Sequence, residues 1–265
     1  MSDHKITLAA SNIGWRKEDD ERIYAKMQAL GYTGLEIAPT RIFETQPYDR
    51  LNAAALFAGY VYQQYGFTVP SMQSILNGRS ESLFDEAGAE ALLEYLDKAF
   101  AFARACRCPS LVFGCPRNRS IPEGKTIFDA DDFFRRAGYL ADRQGVSLAI
   151  ETVPPCYNTN LLNRTADTMQ YVRHLNAAGL SVNLDIGAML TNGEKLADIV
   201  GDLELVSHVH ISEPGLAPIE KRSIHRELAL LLKGLGYTGA VSIEMKTTDA
   251  DTMEAALEYV AEVFA

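Results

Sequence analysis

The chain contains no run of 18 or more apolar residues, so nothing in it reads as a membrane span. Its first residues, Met1–Lys5, lack the basic and apolar regions of a secretory signal. Cysteine is scarce. Cys106, Cys108, Cys115 and Cys156 are too few and too irregularly spaced for a disulfide framework in 265 residues. Cys106 and Cys108 have no second pair at zinc-finger spacing. All four are read as cytosolic thiols and the protein as cytoplasmic. Basic residues are outnumbered, 25 Lys and Arg against 35 Asp and Glu, for a formal net charge of −10. That excess speaks against a nucleic-acid partner held by a general electrostatic footprint, though it leaves room for a local basic pocket. Neither Gly-x-Gly-x-x-Gly nor a P-loop follows any apolar run, which weakens a nucleotide-binding open sheet. No low-complexity linker or charge run divides the chain, and residues 1–265 are expected to form one domain.

What the sequence does contain is alternation. Short β-rich runs begin at Ile6, Gly34, Thr68, Ser110, Val146, Leu180, His208 and Ala240. Between them lie stretches of helical periodicity, such as Ala89–Ala105, where Leu92, Leu93, Leu96, Phe100 and Ala103 recur at three- and four-residue steps. Ala166–Leu175 and Thr252–Phe264 repeat the pattern. Eight such units in 265 residues average about 33 residues each, a usual size for a (β/α)8 TIM barrel, an α/β fold. The connections are unequal. Those entering strands are short and carry a glycine, at Gly31, Gly66, Gly145, Gly179 and Gly236, whereas those leaving strands (39–51, 76–86, 116–128, 153–164) are long and polar. In a barrel the loops after the strands build the site, so the site is expected at the C-terminal face.

Four of the runs end on or carry an ionisable group: Glu151, Asp185, His210 and Glu244. Such a group at the end of a buried strand is costly unless it is paired or bound to a metal. In a closed barrel the four converge, and three carboxylates cannot all stay ionised together without a proton or a cation between them. Oxygen ligands with one nitrogen suit a single divalent ion, Mn²⁺, Mg²⁺ or Co²⁺, with Zn²⁺ also allowed. His208 shares a strand face with His210 through the period of two. It lies deeper, as a hydrogen-bonded core histidine or a group behind the ligands.

With these residues in place the chain resembles the xylose isomerase-like TIM barrels, specifically the sugar phosphate isomerase/epimerase group that includes ketose 3-epimerases and inosose-processing enzymes. The resemblance runs through Ser11–Trp15, Gly34–Thr40, Leu111–Arg119, Leu184–Met189, His208–Glu213 and Val241–Lys246. It implies that Glu151, Asp185, His210 and Glu244 hold the metal. It also implies that Glu151 and Glu244 are the catalytic pair, one removing a proton α to a carbonyl and the other returning it through an enediolate. The activity so implied is a metal-dependent isomerase or epimerase of carbohydrate metabolism, acting on a sugar or polyol-derived carbonyl compound. The alternatives are a dehydratase or lyase of a keto-sugar or inosose and an apurinic-endonuclease-like phosphodiesterase. The implied partner is a small carbohydrate-like molecule, with no nucleic acid and no membrane; homo-oligomers are common among the enzymes resembled.

Three positions depart from the ketose 3-epimerase pattern. Tyr157 stands for a second Glu, Ala188 for a His and Leu216 for an Arg. Those family positions contact substrate, so the substrate need not be one of the usual ketoses. Further substrate-binding candidates are Glu36 and Gln73 at the ends of strands two and three, Arg119 in the loop after strand four, Tyr157, His208, and Lys246, two residues beyond Glu244. The lone tryptophan, Trp15, could serve a sugar ring or pack across the barrel mouth.

Overall fold

The computed structural model describes residues 6–264; Met1–Lys5, read above for a secretory signal, lie outside them. In chain order the elements are β1 (Thr7–Ser11), α1 (Asp20–Ala29), β2 (Gly34–Glu36), α2 (Pro39–Ile42), α3 (Leu51–Tyr65) and β3 (Ser71–Met72). They continue with α4 (Glu86–Ala105), β4 (Ser110–Phe113), α5 (Asp131–Gln144), β5 (Ser147–Glu151), α6 (Thr165–Leu175) and β6 (Leu180–Asp185). The last are α7 (Ile186–Asn192), β7 (Val206–Ile211), α8 (Ser223–Gly234), β8 (Ala240–Ile243) and α9 (Ala250–Phe264). All strand pairs are parallel, in the order β2-β1-β8-β7-β6-β5-β4-β3. β2 and β3 complete the ring through isolated bridges, Gly34 with Thr68 and Ile37 with Met72. The (β/α)8 barrel expected from the alternation is therefore present. No helix among the described residues is long and apolar enough to cross a membrane.

The helices start and stop for local reasons. Asp85 caps α4, its carboxylate accepting from the Gly88 N–H at 2.8 Å. Gly145 ends α5 at φ 70°, a left-handed turn that a Cβ disfavours, and the chain then enters β5 at once. Apolar strand residues such as Leu35, Leu111, Phe113, Leu148, Ile150, Leu184, Val209 and Val241 alternate with the inward set and are buried against the helices.

The inside of the barrel differs. Residues paired in a parallel ladder share a face, so Glu151, Asn183 and His208 form one inward row, and Asp185, His210 and Ser242 another. A one-residue shift between Val182 and Asn183 puts His208 rather than Ser207 beside Asn183. Ser207 turns to the N-terminal end of the barrel, where its hydroxyl meets Ser181 at 2.8 Å and Ser110 at 3.3 Å. An interior of small and polar residues, in place of the branched aliphatics common in barrels, leaves room for a charged cluster.

Candidate metal centre and active-site cavity

β5, β6, β7 and β8 deliver Glu151, Asp185, His210 and Glu244 to one point at the C-terminal mouth. Each offers a ligand atom, and these atoms lie within 4.8 Å of one another. His210 Nδ1 stands 3.1 Å from Glu151 Oε1, 3.2 Å from Glu244 Oε2 and 3.8 Å from Asp185 Oδ2. Asn183, two residues before Asp185 on the same face, donates to Glu151 Oε1 at 2.5 Å. Ser212 donates to Asp185 Oδ2 at 2.9 Å, and the Ala188 N–H donates to the other oxygen.

The electrostatics are strained. Burial, with Glu151 and Glu244 nearby, pushes the Asp185 carboxyl up to about 7. Burial also raises Glu244, although His210 opposes it. His210 is raised well above the usual imidazole range: burial works against its charge, but the surrounding carboxylates outweigh it, Glu36 and Glu244 foremost. No Lys or Arg among the described residues pairs with the side chain of any of the three acids. Three acids and one imidazole, short of cations and partly open to a cavity, are the donor set that a divalent ion fits.

That cavity, about 440 Å³, is lined by Glu151, Asp185 and Glu244 together with Gln73, Tyr157, Ala188 and Leu216. The three positions that depart from the ketose 3-epimerase pattern thus all face it. The Tyr157 hydroxyl accepts from the Gly215 N–H at 3.1 Å, linking the loops after β5 and β7 across the mouth. Of the eight non-glycine residues at positive φ among the described residues, Ser74, Cys115 and Leu216 line the cavity, at 54°, 40° and 56°.

Four expected substrate contacts lie elsewhere. Glu36 and His208 are fully buried and do not line the cavity. Glu36 sits behind His210, because strand stagger in a barrel sets the end of β2 lower than the ends of β5 to β8; His208 lies two residues deeper than His210 on β7, as the shared strand face led one to expect. Arg119 is also fully buried. Its guanidinium donates to the carbonyls of Glu151 and Leu161, both at 2.7 Å, and of Gly114 at 3.0 Å, so it ties loops together instead of meeting a ligand. Lys246 is exposed and does not line the cavity. β8 ends at Ile243, and the Lys246 N–H then bonds to the Leu216 carbonyl at 2.9 Å, so the strand alternation does not carry through to it. Trp15 is buried, with Nε1 donating to Asp20 at 2.8 Å.

Sequence reasoning passed over Asn183 and Ser212, each two residues from a ligand on its own strand face, a signal the period of two contains. It also passed over Gly114, at the end of β4, where a Cβ would overlap Glu151 Oε2. Gly114→Ala is therefore expected to displace the Glu151 carboxylate, weakening Mn²⁺ binding about tenfold or more by calorimetry with little change in the Tm of metal-free protein. Unchanged affinity would show that Glu151 is not required where it stands.

A model of the xylose isomerase-like TIM barrel family matches residues 24–263. No curated protein matches the sequence. Among solved structures, the chain is similar to a D-psicose 3-epimerase crystallised in the presence of D-fructose, at 17% identity over 98% of this chain and 99% of that one, TM-score 0.77. It is similar to a 3-keto-D-glucoside 4-epimerase from E. coli, at 16% identity over 98% and 99%, TM-score 0.74. It is also similar to a family 2 AP endonuclease from Brucella melitensis, at 19% identity over 97% and 98%, TM-score 0.74.

Proposed function

The chain belongs to the xylose isomerase-like TIM barrel family, and from that premise we propose that it is a divalent-metal-dependent epimerase or isomerase of a keto sugar or a related polyol carbonyl compound. The observation that carries this reading is the convergence of Glu151, Asp185, His210 and Glu244 on one point, the three carboxylates lining the cavity and His210 buried directly behind them, with the two glutamates contributed by the outer strands of the four. These residues would hold the ion, with Mn²⁺, Mg²⁺ or Co²⁺ favoured by the donor set and Zn²⁺ next. A bound divalent ion would supply Lewis-acid stabilisation of the negative charge that develops on a substrate carbonyl oxygen.

The remaining chemistry belongs to the protein. One of Glu151 and Glu244 takes the proton α to the carbonyl, leaving an enediolate, and the other returns a proton to the opposite face. Asp185 and His210 act as holders of the ion. Gln73 and Tyr157, which line the cavity, would orient substrate hydroxyls. The D-psicose and 3-keto-glucoside epimerases of the same fold are consistent with such a carbonyl substrate.

The test is solvent exchange. Incubated in D₂O with Mn²⁺ and, in turn, D-fructose, D-psicose, D-tagatose or a 3-keto-glucoside, the protein is expected to place deuterium on a carbon next to the carbonyl in at least one of them. Release of water in place of exchange would mean a dehydratase, and no reaction with any keto sugar would remove the proposal. A second expected result needs no substrate. At about 100 times its Kd, Mn²⁺ should stabilise the fold by about 3 kcal/mol, raising Tm by roughly 5–10 °C in a thermal scan. No shift at millimolar Mn²⁺ or Mg²⁺ would count against the metal centre.

A further inference from the structure

Behind the four ligands lies a second, sealed cluster. Glu36, Ser71, His208 and His210 are all fully buried. His210 turns Nδ1 to the three carboxylates of the cavity and Nε2 to Glu36, 3.1 Å from each carboxylate oxygen. Glu36 Oε2 also receives His208 Nε2 at 2.5 Å and the Ser71 hydroxyl, while Gln73 Nε2 reaches Oε1 at 3.4 Å. A carboxylate has about four lone-pair sites, and four donor groups converge on this one. Fully buried and absent from the cavity lining, it is out of reach of a substrate there. His208 Nδ1 has no partner, as expected for a neutral ring whose one proton is on Nε2.

We propose that Glu36 is a positioning residue: by accepting from His210 Nε2 it holds the ring with Nδ1 turned to the divalent ion. The inference rests on the reading of the cavity cluster as a metal centre. Nδ1 stands among three carboxylates on the cavity side, and a buried, hydrogen-bonded anion on the far side fixes the ring between them, as metal-ligating imidazoles are commonly held. The cluster also joins β2 and β3, where the barrel is bridged most sparsely, to β7 across the interior.

The experiment compares wild type with Glu36→Gln, which keeps the shape and removes the charge. Mn²⁺ titration by calorimetry is expected to show a Kd raised about 10- to 100-fold in the variant. Nitrogen-15 NMR of histidine-labelled protein with Mg²⁺ is expected to show His210 bare at Nδ1 in wild type but not in the variant, a difference that a purely structural role for Glu36 would not make. A Kd within twofold of wild type overturns the inference and leaves the metal centre standing. A His210 protonated at Nδ1 in the loaded wild type overturns the inference together with His210's place among the ligands, and decides alone should the variant not fold. Wild type that binds neither Mn²⁺ nor Mg²⁺ overturns both readings together.

Discussion

Glu151→Gln and Glu244→Gln are each expected to lower kcat by about 1000-fold on whichever keto sugar exchanges with solvent, within the range general acid–base catalysis supplies. An amide keeps the carboxylate's shape and can still present an oxygen, but it cannot take a proton from carbon. The two losses should not add: when both groups are needed for one inversion, removing the second after the first changes little. The variants should also be distinguishable. Each retains one carboxylate on one side of the substrate, so residual deuterium exchange should be confined to one epimer in each variant, and to opposite epimers in the two. Neither should owe its loss to unfolding. Burial already disfavours the charge on Glu244, so in EDTA the Tm of Glu244→Gln should equal or exceed that of wild type. Near-normal turnover in both variants would falsify the proposed chemistry.

The candidate ligands were legible because strand chemistry announces them. Apolar runs that close on Glu151, Asp185 and Glu244 make sense only if something offsets the cost of an ionised strand end, and the period of two gave His210 its direction. The short entries to the strands were legible for a similar reason: Gly31, Gly66, Gly145, Gly179 and Gly236 all adopt positive φ, a conformation the other residue types disfavour. What escaped depends on distance in the chain. The depth of Glu36 follows from the stagger of the whole barrel, and no local pattern encodes it. The shift that puts His208 beside Asn183 is a one-residue irregularity inside an ordinary-looking strand. Lys246 left its expected face because the alternation ends with β8, and strand ends are poorly marked in sequence. Arg119 was the furthest from its expected place. A basic residue in a long polar loop reads as exposed, and only the folded positions of Gly114, Glu151 and Leu161 show what its guanidinium serves.

That placement makes Arg119→Met the substitution with the largest expected effect on stability. Methionine replaces much of the side chain's volume but none of its donors, leaving the carbonyls of Glu151, Leu161 and Gly114 without their partner. A buried acceptor left unsatisfied costs about 1–3 kcal/mol. The sum is reduced because burying a guanidinium with no carboxylate beside it is itself unfavourable; burial draws its pKa down to about 10, and its Nε has no acceptor. A net loss on the order of 4 kcal/mol follows, or a Tm lowered by about 10 °C in a chain of this size. Arg119→Lys should recover little of it, since one ammonium cannot reproduce a planar fork that spans three carbonyls. Because the Glu151 carbonyl is among those lost, Mn²⁺ affinity should fall as well. A residue that clamped an anionic substrate would behave in the opposite way, raising KM while leaving the Tm of the free protein where it was. Thermal unfolding without ligand, set beside KM on the exchanging sugar, separates the two. An unchanged Tm with a raised KM would return Arg119 to the substrate.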